Sequence, residues 1–191
     1  MTTNVEILTA DIRARLSDYR FTHSLNVADA AKSLAEAYGG DPERAFLTGL
    51  MHDVLKEQSR EDALAFFEAH GETLTRLELN APKLWHAMSG ALYLKEVYDF
   101  PDDMTSAVRY HTTGRENMSL LEKIIFIADF ISADRDYPGV EEMRQRALIS
   151  LEYAMEEGLR FTINELSEKS APIHPDTVAC YNRILLDKKG E

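Results

Sequence analysis

The 191-residue sequence predicts an all-α fold. No long alternating run of β-branched residues marks a strand, apolar residues recur at helical spacing from end to end, and helix-start and helix-stop residues punctuate those runs. "HSLNVADAAKSLAEAY" (23–38) places Leu34 and Tyr38 four apart and stops at Gly39 and Gly40, a pair suited to a left-handed cap. Asp41 and Pro42 then read as the N-cap and first-turn residues of a helix running through "ERAFLTGLMHDVLK" (43–56). Ser59 with Asp62 has capping-box spacing ahead of "REDALAFFEAH", which stops at Gly71. "APKLWHAMSGALYLKEVY" (81–98) and "PDDMTSAVRYH" (101–111) are the next two helices, and Ser119 with Glu122 repeats the capping spacing before "LLEKIIFIADFIS" (120–132). A helix or helix pair covers about 140–168 with Gly158 as its break, and "PDTVACYNRILLDK" closes the chain.

One domain over 1–191 is expected, with a core at about 17–136 and C-terminal helices at about 140–187; the hydrophobic share of 45% is ordinary for a globular chain. Thirty-three acidic against 21 basic residues give a charge of −12, which repels nucleic acid and anionic membranes, so neither is expected as a partner. Cys180 stands alone and cannot form an internal disulfide. The opening "MTTNVEILTADIRARL" lacks the basic-then-apolar order of a secretion signal, and the most apolar run, "IIFIADFI", is short and interrupted by Asp129. A soluble cytoplasmic protein is expected.

Chemistry concentrates in "LTGLMHDVLK" (47–56). In a continuous helix Ala45, Gly49, His52, Asp53 and Lys56 share one face. Small residues at 45 and 49 let another element approach, and a buried Asp53 needs a compensating charge, which a bound cation would supply. The plain alternative is a surface His-Asp pair at a helix end. Other awkwardly placed groups weigh against it. His23 and His86 lie in amphipathic helices, and His111 ends a third just before "TTG". Asp129 shares a stripe with Leu121, Ile125 and Ala128, so its carboxylate points toward the core. By contrast, His70 reads as a helix-end residue favoured by the dipole, and Met51, Trp85 and Met88 as core.

The order His, His-Asp, His, His, Asp resembles the HD-domain metal-dependent phosphohydrolases. More narrowly, "RFTHSLNVADAA", "GLMHDVLK", "HAMSGA", "RYHTTGRENMSLLEKIIFIADFI" and "RDYPGV" look like the YqeK family of symmetrical bis(5'-nucleosyl)-tetraphosphatases. The likeness runs from about 15 to 187 and takes in "IHPDTVACYN"; Ser132 and Ala133 stand where family members commonly carry Glu-Pro. It implies an HD-domain helical bundle that splits diadenosine tetraphosphate into two ADP at a dinuclear centre with a bridging hydroxide. His23, His52, Asp53 and Asp129 would hold one metal, and Asp53, His86 and His111 the second. The implied metal is iron; mixed imidazole and carboxylate donors also suit manganese, cobalt or nickel. Catalytic roles fall to Asp53, Lys56, His86 and His111.

Symmetrical cleavage also requires one ADP arm to be gripped so that the central anhydride lies over the metals. Lys56, one turn beyond Asp53, Arg20, three residues before His23, and Arg135, six after Asp129, are the candidate cations. Thr112, Thr113 and Gly114 follow His111 outside any helical pattern, and their amides or hydroxyls would meet phosphate, unless they form a plain turn. "APIHP" is a candidate to close over a base. The competing functions are another HD phosphohydrolase such as a nucleotide monophosphatase, and a catalytically silent HD interaction module. A homodimer is the one macromolecular assembly expected.

Overall fold

The computed structural model describes residues 4–189, and every regular element among them is helical. In order these are α1 (Val5–Arg15), α2 (Asp18–Tyr38), α3 (Pro42–Met51), α4 (Arg60–Ala69), α5 (Arg76–Leu79), a 3-10 turn (Pro82–Leu84), α6 (Trp85–Tyr98), α7 (Asp102–Tyr110), α8 (Leu120–Ile131), α9 (Val140–Ile149), α10 (Leu151–Glu168) and α11 (Pro175–Lys189). No helix among the described residues is long and apolar enough to cross a membrane.

Local chemistry sets most of the boundaries. Gly39 ends α2 at φ +70°, a left-handed cap that costs a glycine little. The Asp41 carboxylate accepts from the Glu43 and Arg44 amides at 3.0 and 3.1 Å and opens α3. At α8 the box is reciprocal: the Ser119 amide donates to Glu122 Oε2 at 2.6 Å, and the Glu122 amide to Ser119 Oγ at 3.3 Å.

Helix α8 is the central post. Ile124, Ile125, Phe126, Ile127 and Ala128 are buried in succession, so the helix is covered on every side, by α2, α7, α9 and α10. A second apolar cluster joins α1, α3, α6 and α7, and α2 contributes to both, Val27 to one and Ala28 to the other. The α2–α3 pair is the most closely packed. A Cβ added at Gly49 would stand 3.0 Å from Ala28 Cα and 3.1 Å from Val27 O, so the small residue expected at 49 is required by the approach of α2.

Three expectations are corrected. The helix predicted through residue 56 stops at Met51, and residues 52–57 continue as turns in which the amides of Val54 and Lys56 bond three residues back, to Met51 O and Asp53 O at 3.1 and 2.8 Å. No Gly or Pro signals this tightening, which is why periodicity reads through it. Helix α2 begins at Asp18, before His23. Gly158 lies unbroken inside α10, where a Cβ would meet the Phe130 ring at 3.3 Å; the break falls at Ser150, whose hydroxyl accepts from the Tyr153 amide at 3.3 Å. Two helices, α1 and α5, had no expectation. Asn4 caps α1, and Leu8 and Ile12 bury its inner face.

Candidate metal centre

Four imidazoles form a row where the ends of α3, α7 and α8 meet early turns of α2 and α6. Ring centroids are 5.4 Å apart from His23 to His52, 5.0 Å from His52 to His111 and 5.1 Å from His111 to His86. All four are buried, as is Asp53.

His52 and His111 are held alike. Each follows the last residue of a helix, and each donates Nδ1–H to the carbonyl three residues back, Gly49 O and Val108 O, both at 2.7 Å. That bond fixes the tautomer and leaves the Nε2 lone pair to the site. His52 Nε2 is buried and meets no hydrogen-bond partner. His23 is oriented by a carboxylate instead, with Nδ1 2.8 Å from Asp134 Oδ2, and Asn26 donates to the other oxygen of Asp134 at 3.1 Å. His86 Nε2 accepts from Lys56 Nζ at 3.0 Å.

The tight turn after Met51 aims Asp53 between the rings. Its Oδ2 lies 3.6 Å from His52 Nε2, and its Oδ1 lies 3.0 Å from His86 Nε2 and 3.5 Å from His111 Nε2. Residues three apart eclipse in such a turn, which brings Lys56 Nζ to 3.5 Å from Asp53 Oδ1. At the other end His23 Nε2 stands 2.9 Å from Asp129 Oδ1. Several lone-pair atoms therefore crowd one another, including His86 Nε2 and His111 Nε2 at 3.2 Å. Such crowding is repulsive unless a proton or cation lies between them, so these donors fit divalent metal ions. Ligand atoms of His23, His52 and Asp129 lie within 4.8 Å of one another, as do those of His52, Asp53 and His111.

Asp129 sits at the mouth of the site, its side chain 21% exposed, rather than fully in the core as its stripe suggested. Arg135 holds it twice, through Nη2 to the carboxylate and through Nε to the backbone carbonyl at 2.7 Å. The loop carrying Asp134 and Arg135 is tied down from α9, where Arg144 donates to the carbonyls of Ile131, Ser132 and Arg135 at 3.0, 2.9 and 3.1 Å.

Burial pushes His52 and His86 down to about 4, so both rings stay neutral near pH 7, as ligands must. At Asp53 burial opposes the charge, yet His52, His111 and His86 hold its pKa well below the usual carboxylate range. Asp129 is likewise held well down, where burial is outweighed by His23, Arg135 and His52. His23 moves upward, because the bond and charge of Asp129, with Asp134, outweigh burial.

The expected residues fare unevenly. His23, His52, Asp53, His86, His111 and Asp129 converge, and Lys56 joins them. Arg20 reaches the site too, with Nη1 3.6 Å from Asp53 Oδ2. Thr113 and Gly114 form a turn directly after His111, in which Thr113 Oγ1 donates to Gly114 O at 2.9 Å and the Gly114 amide to Tyr110 O at 2.8 Å. Thr112 alone keeps a hydroxyl without a partner. His174 of "APIHP" lies 3.8 Å from Glu78 Oε1. Met51, Trp85 and Met88 are core, and His70 closes α4 away from the site, with Nδ1 2.7 Å from Phe66 O. Asp134, Asn26 and Arg144 were not anticipated; the one available signal was an Asp five residues after Asp129.

Comparison with known proteins agrees with this geometry. The model of the HD domain family matches residues 20–134. The chain belongs to the HD domain family. Among HD-domain relatives, the symmetrical bis(5'-nucleosyl)-tetraphosphatase of Halalkalibacterium halodurans is 39% identical over 93% of this chain and 95% of its own. The proteins of the same name from Bacillus subtilis and Staphylococcus aureus are 36% and 32% identical, over 95% and 94% of this chain and 98% and 93% of theirs. These matches bear out the resemblance to the YqeK family. The crystal structure of a predicted HD superfamily hydrolase involved in NAD metabolism from Clostridium acetobutylicum superposes with a TM-score of 0.93 at 34% identity, covering 96% of this chain and 98% of that one.

Proposed function

We propose that this HD domain hydrolyses dinucleoside tetraphosphates symmetrically, converting diadenosine tetraphosphate and water into two ADP at a pair of transition-metal ions. The observation that carries this is the placement of Asp53, whose two oxygens face different imidazoles, Oδ2 toward His52 and Oδ1 toward His86 and His111. Such a carboxylate suits a bridge. His23, His52, Asp53 and Asp129 would hold one ion, and Asp53, His86 and His111 the other. Bound ions supply Lewis-acid stabilisation of phosphoryl charge and lower the pKa of water.

The chain's own groups do the rest. Neutral imidazoles and two carboxylates sum to about −2, so two divalent cations leave the centre net positive inside an acidic protein and matched to a polyphosphate. Main-chain carbonyls and Asp134 keep the rings aimed, and Arg135 keeps Asp129 in place. Lys56 and Arg20, both beside Asp53, put donors where phosphoryl oxygens would lie, and Thr112 adds a hydroxyl. The reaction breaks the central P–O bond and forms one P–O bond to water, and the water's protons leave through solvent and the ADP made. Iron is the proposed metal, with manganese, cobalt and nickel as competitors, since no thiolate enters the donor set. A homodimer and a cytoplasmic location belong to the same proposal, to be read from sedimentation and cell fractionation.

The test is to measure the metal content of the purified protein, supply diadenosine tetraphosphate and resolve the products. ADP alone is expected. AMP with ATP overturns symmetrical cleavage, orthophosphate release from AMP favours a nucleotide monophosphatase, and no turnover with any added transition metal favours the silent interaction module.

A further inference from the structure

The imidazole row runs from His23 to His86, and each end opens on a cavity. At the His23 end about 350 Å³ is bounded by Asp129 and Arg135 and walled by Phe130, Tyr137 and Phe161. At the His86 end about 530 Å³ is lined by Arg20, Lys56, Arg60 and Lys83, with no carboxylate in its wall. Both volumes fall in the range of roughly 300–1,000 Å³ usual for small-molecule sites.

A wall whose charged side chains are all cations is not what this composition supplies by default, since acidic residues outnumber basic ones by 33 to 21. Nearly every described cation stands within 4.0 Å of a carboxylate; among the described residues Lys32, Arg60, Arg76 and Lys83 do not. Two of those four line the same cavity. Arg20 and Lys56 are already engaged with Asp53, so the uncompensated charge comes from Arg60 and Lys83. Trp85 forms a fixed wall behind Arg60: the ring is buried, its Nε1–H donates to Glu78 O at 2.7 Å, and the guanidinium lies 5.1 Å from its centroid. Neighbouring cations without acid partners repel one another unless an anion enters.

We propose that this cavity seats the second arm of the substrate, with Arg60 and Lys83 binding the phosphates that continue past the metals on the His86 side. The proposal rests on the dinucleoside polyphosphate reading above. The two ends then divide the labour of recognition: the aromatic cavity suits a nucleobase and the cationic one a phosphate chain. A substrate with phosphates on both sides of the scissile bond gains from both ends, whereas one with phosphates on a single side gains from only one. Arg60 and Lys83 thus set specificity without touching the ions.

Steady-state kinetics on diadenosine tetraphosphate with the metal-loaded enzyme tests this. R60A/K83A is expected to raise KM roughly tenfold with kcat within about twofold, the loss of two charge-assisted contacts. R60K/K83R, which keeps both charges, restores most of the affinity. K32A/R76A removes the same net charge from the other two unpaired cations and is expected to keep the wild-type KM. Both sides are exposed, so folding is not at stake. An unchanged KM in R60A/K83A, or an equal rise in K32A/R76A, overturns the assignment while wild-type ADP formation still upholds the activity. A wild-type enzyme that makes no ADP overturns the activity itself and this assignment with it.

Discussion

The middle and the ends of the imidazole row are built on different principles. His52 and His111 each close a helix and are oriented by a main-chain carbonyl three residues back. His23 and His86 lie in early turns of α2 and α6 and meet charged side chains, Asp134 at the Nδ1 of His23 and Lys56 at the Nε2 that His86 turns to the site. The middle is therefore fixed by the course of the backbone, and only changes that move a helix end disturb it. The ends depend on single replaceable groups, where electrostatics can tune metal affinity without refolding anything.

Asp53 is shared by both parts, so its loss breaks the distinction most completely. Asp53→Ala should abolish ADP formation and leave fewer than two bound ions by elemental analysis; a variant that still holds two ions refutes the bridge. Asp134→Asn attacks one end alone. Removing its charge should lower affinity for one ion by about 10- to 100-fold in a competitive chelator titration, with the fold intact by circular dichroism. Gly49→Ala attacks the middle through the backbone. The new methyl meets Ala28 Cα and Val27 O, and it should cost about 1–3 kcal/mol in denaturant unfolding while loosening His52 by shifting the carbonyl that orients it. Equal metal affinity in Gly49→Ala and wild type would show that backbone fixation of His52 is unimportant.

The smallest effect sharpens the comparison by pH. In chelator, His52 and His86 take up protons in the unfolded chain at about pH 6.5 but in the fold only near 4, so they withdraw stability as pH falls through that window. His23 acts in the opposite sense. Its raised folded pKa contributes stability that is present below about 6.5 and lost as pH rises through the folded value. Melting temperatures between pH 4 and 8 should fall toward acid for the wild type, and more steeply for Asp134→Asn, which loses part of the His23 contribution. A flat profile would contradict the burial of His52 and His86.

What could be read in the sequence follows the same division. Capping chemistry is local, so Gly39, Asp41, Ser59, Ser119 and Glu122 announce their helix ends correctly. The six converging His and Asp residues were legible from their order, His, His-Asp, His, His, Asp, which carries the family resemblance, and from Asp129 interrupting the most apolar run. The tightening after Met51 was not, since no breaker residue marks it. Gly158 misleads for a related reason: its small size serves the Phe130 ring rather than a chain break. Asp134 in its polar loop and Arg144 on the polar side of α9 carry no such signal, because each looks solvated until the tertiary fold gives it a partner.

The match to the HD domain ends at residue 134, one residue short of Arg135 and ten short of Arg144. The loop bearing Asp134 is fastened by Arg144 of α9, and Cys180 of α11 presses on the turn after His111, where Gly114 has φ +65° and a Cβ would stand 2.9 Å from the sulfur. Anyone trimming the gene to a minimal catalyst at the domain boundary would cut the guy-ropes along with the tail. Helices α9 and α11 reach the loops beside the site, α10 packs on both of them and on α8, and the three should be inherited, swapped or engineered together with it.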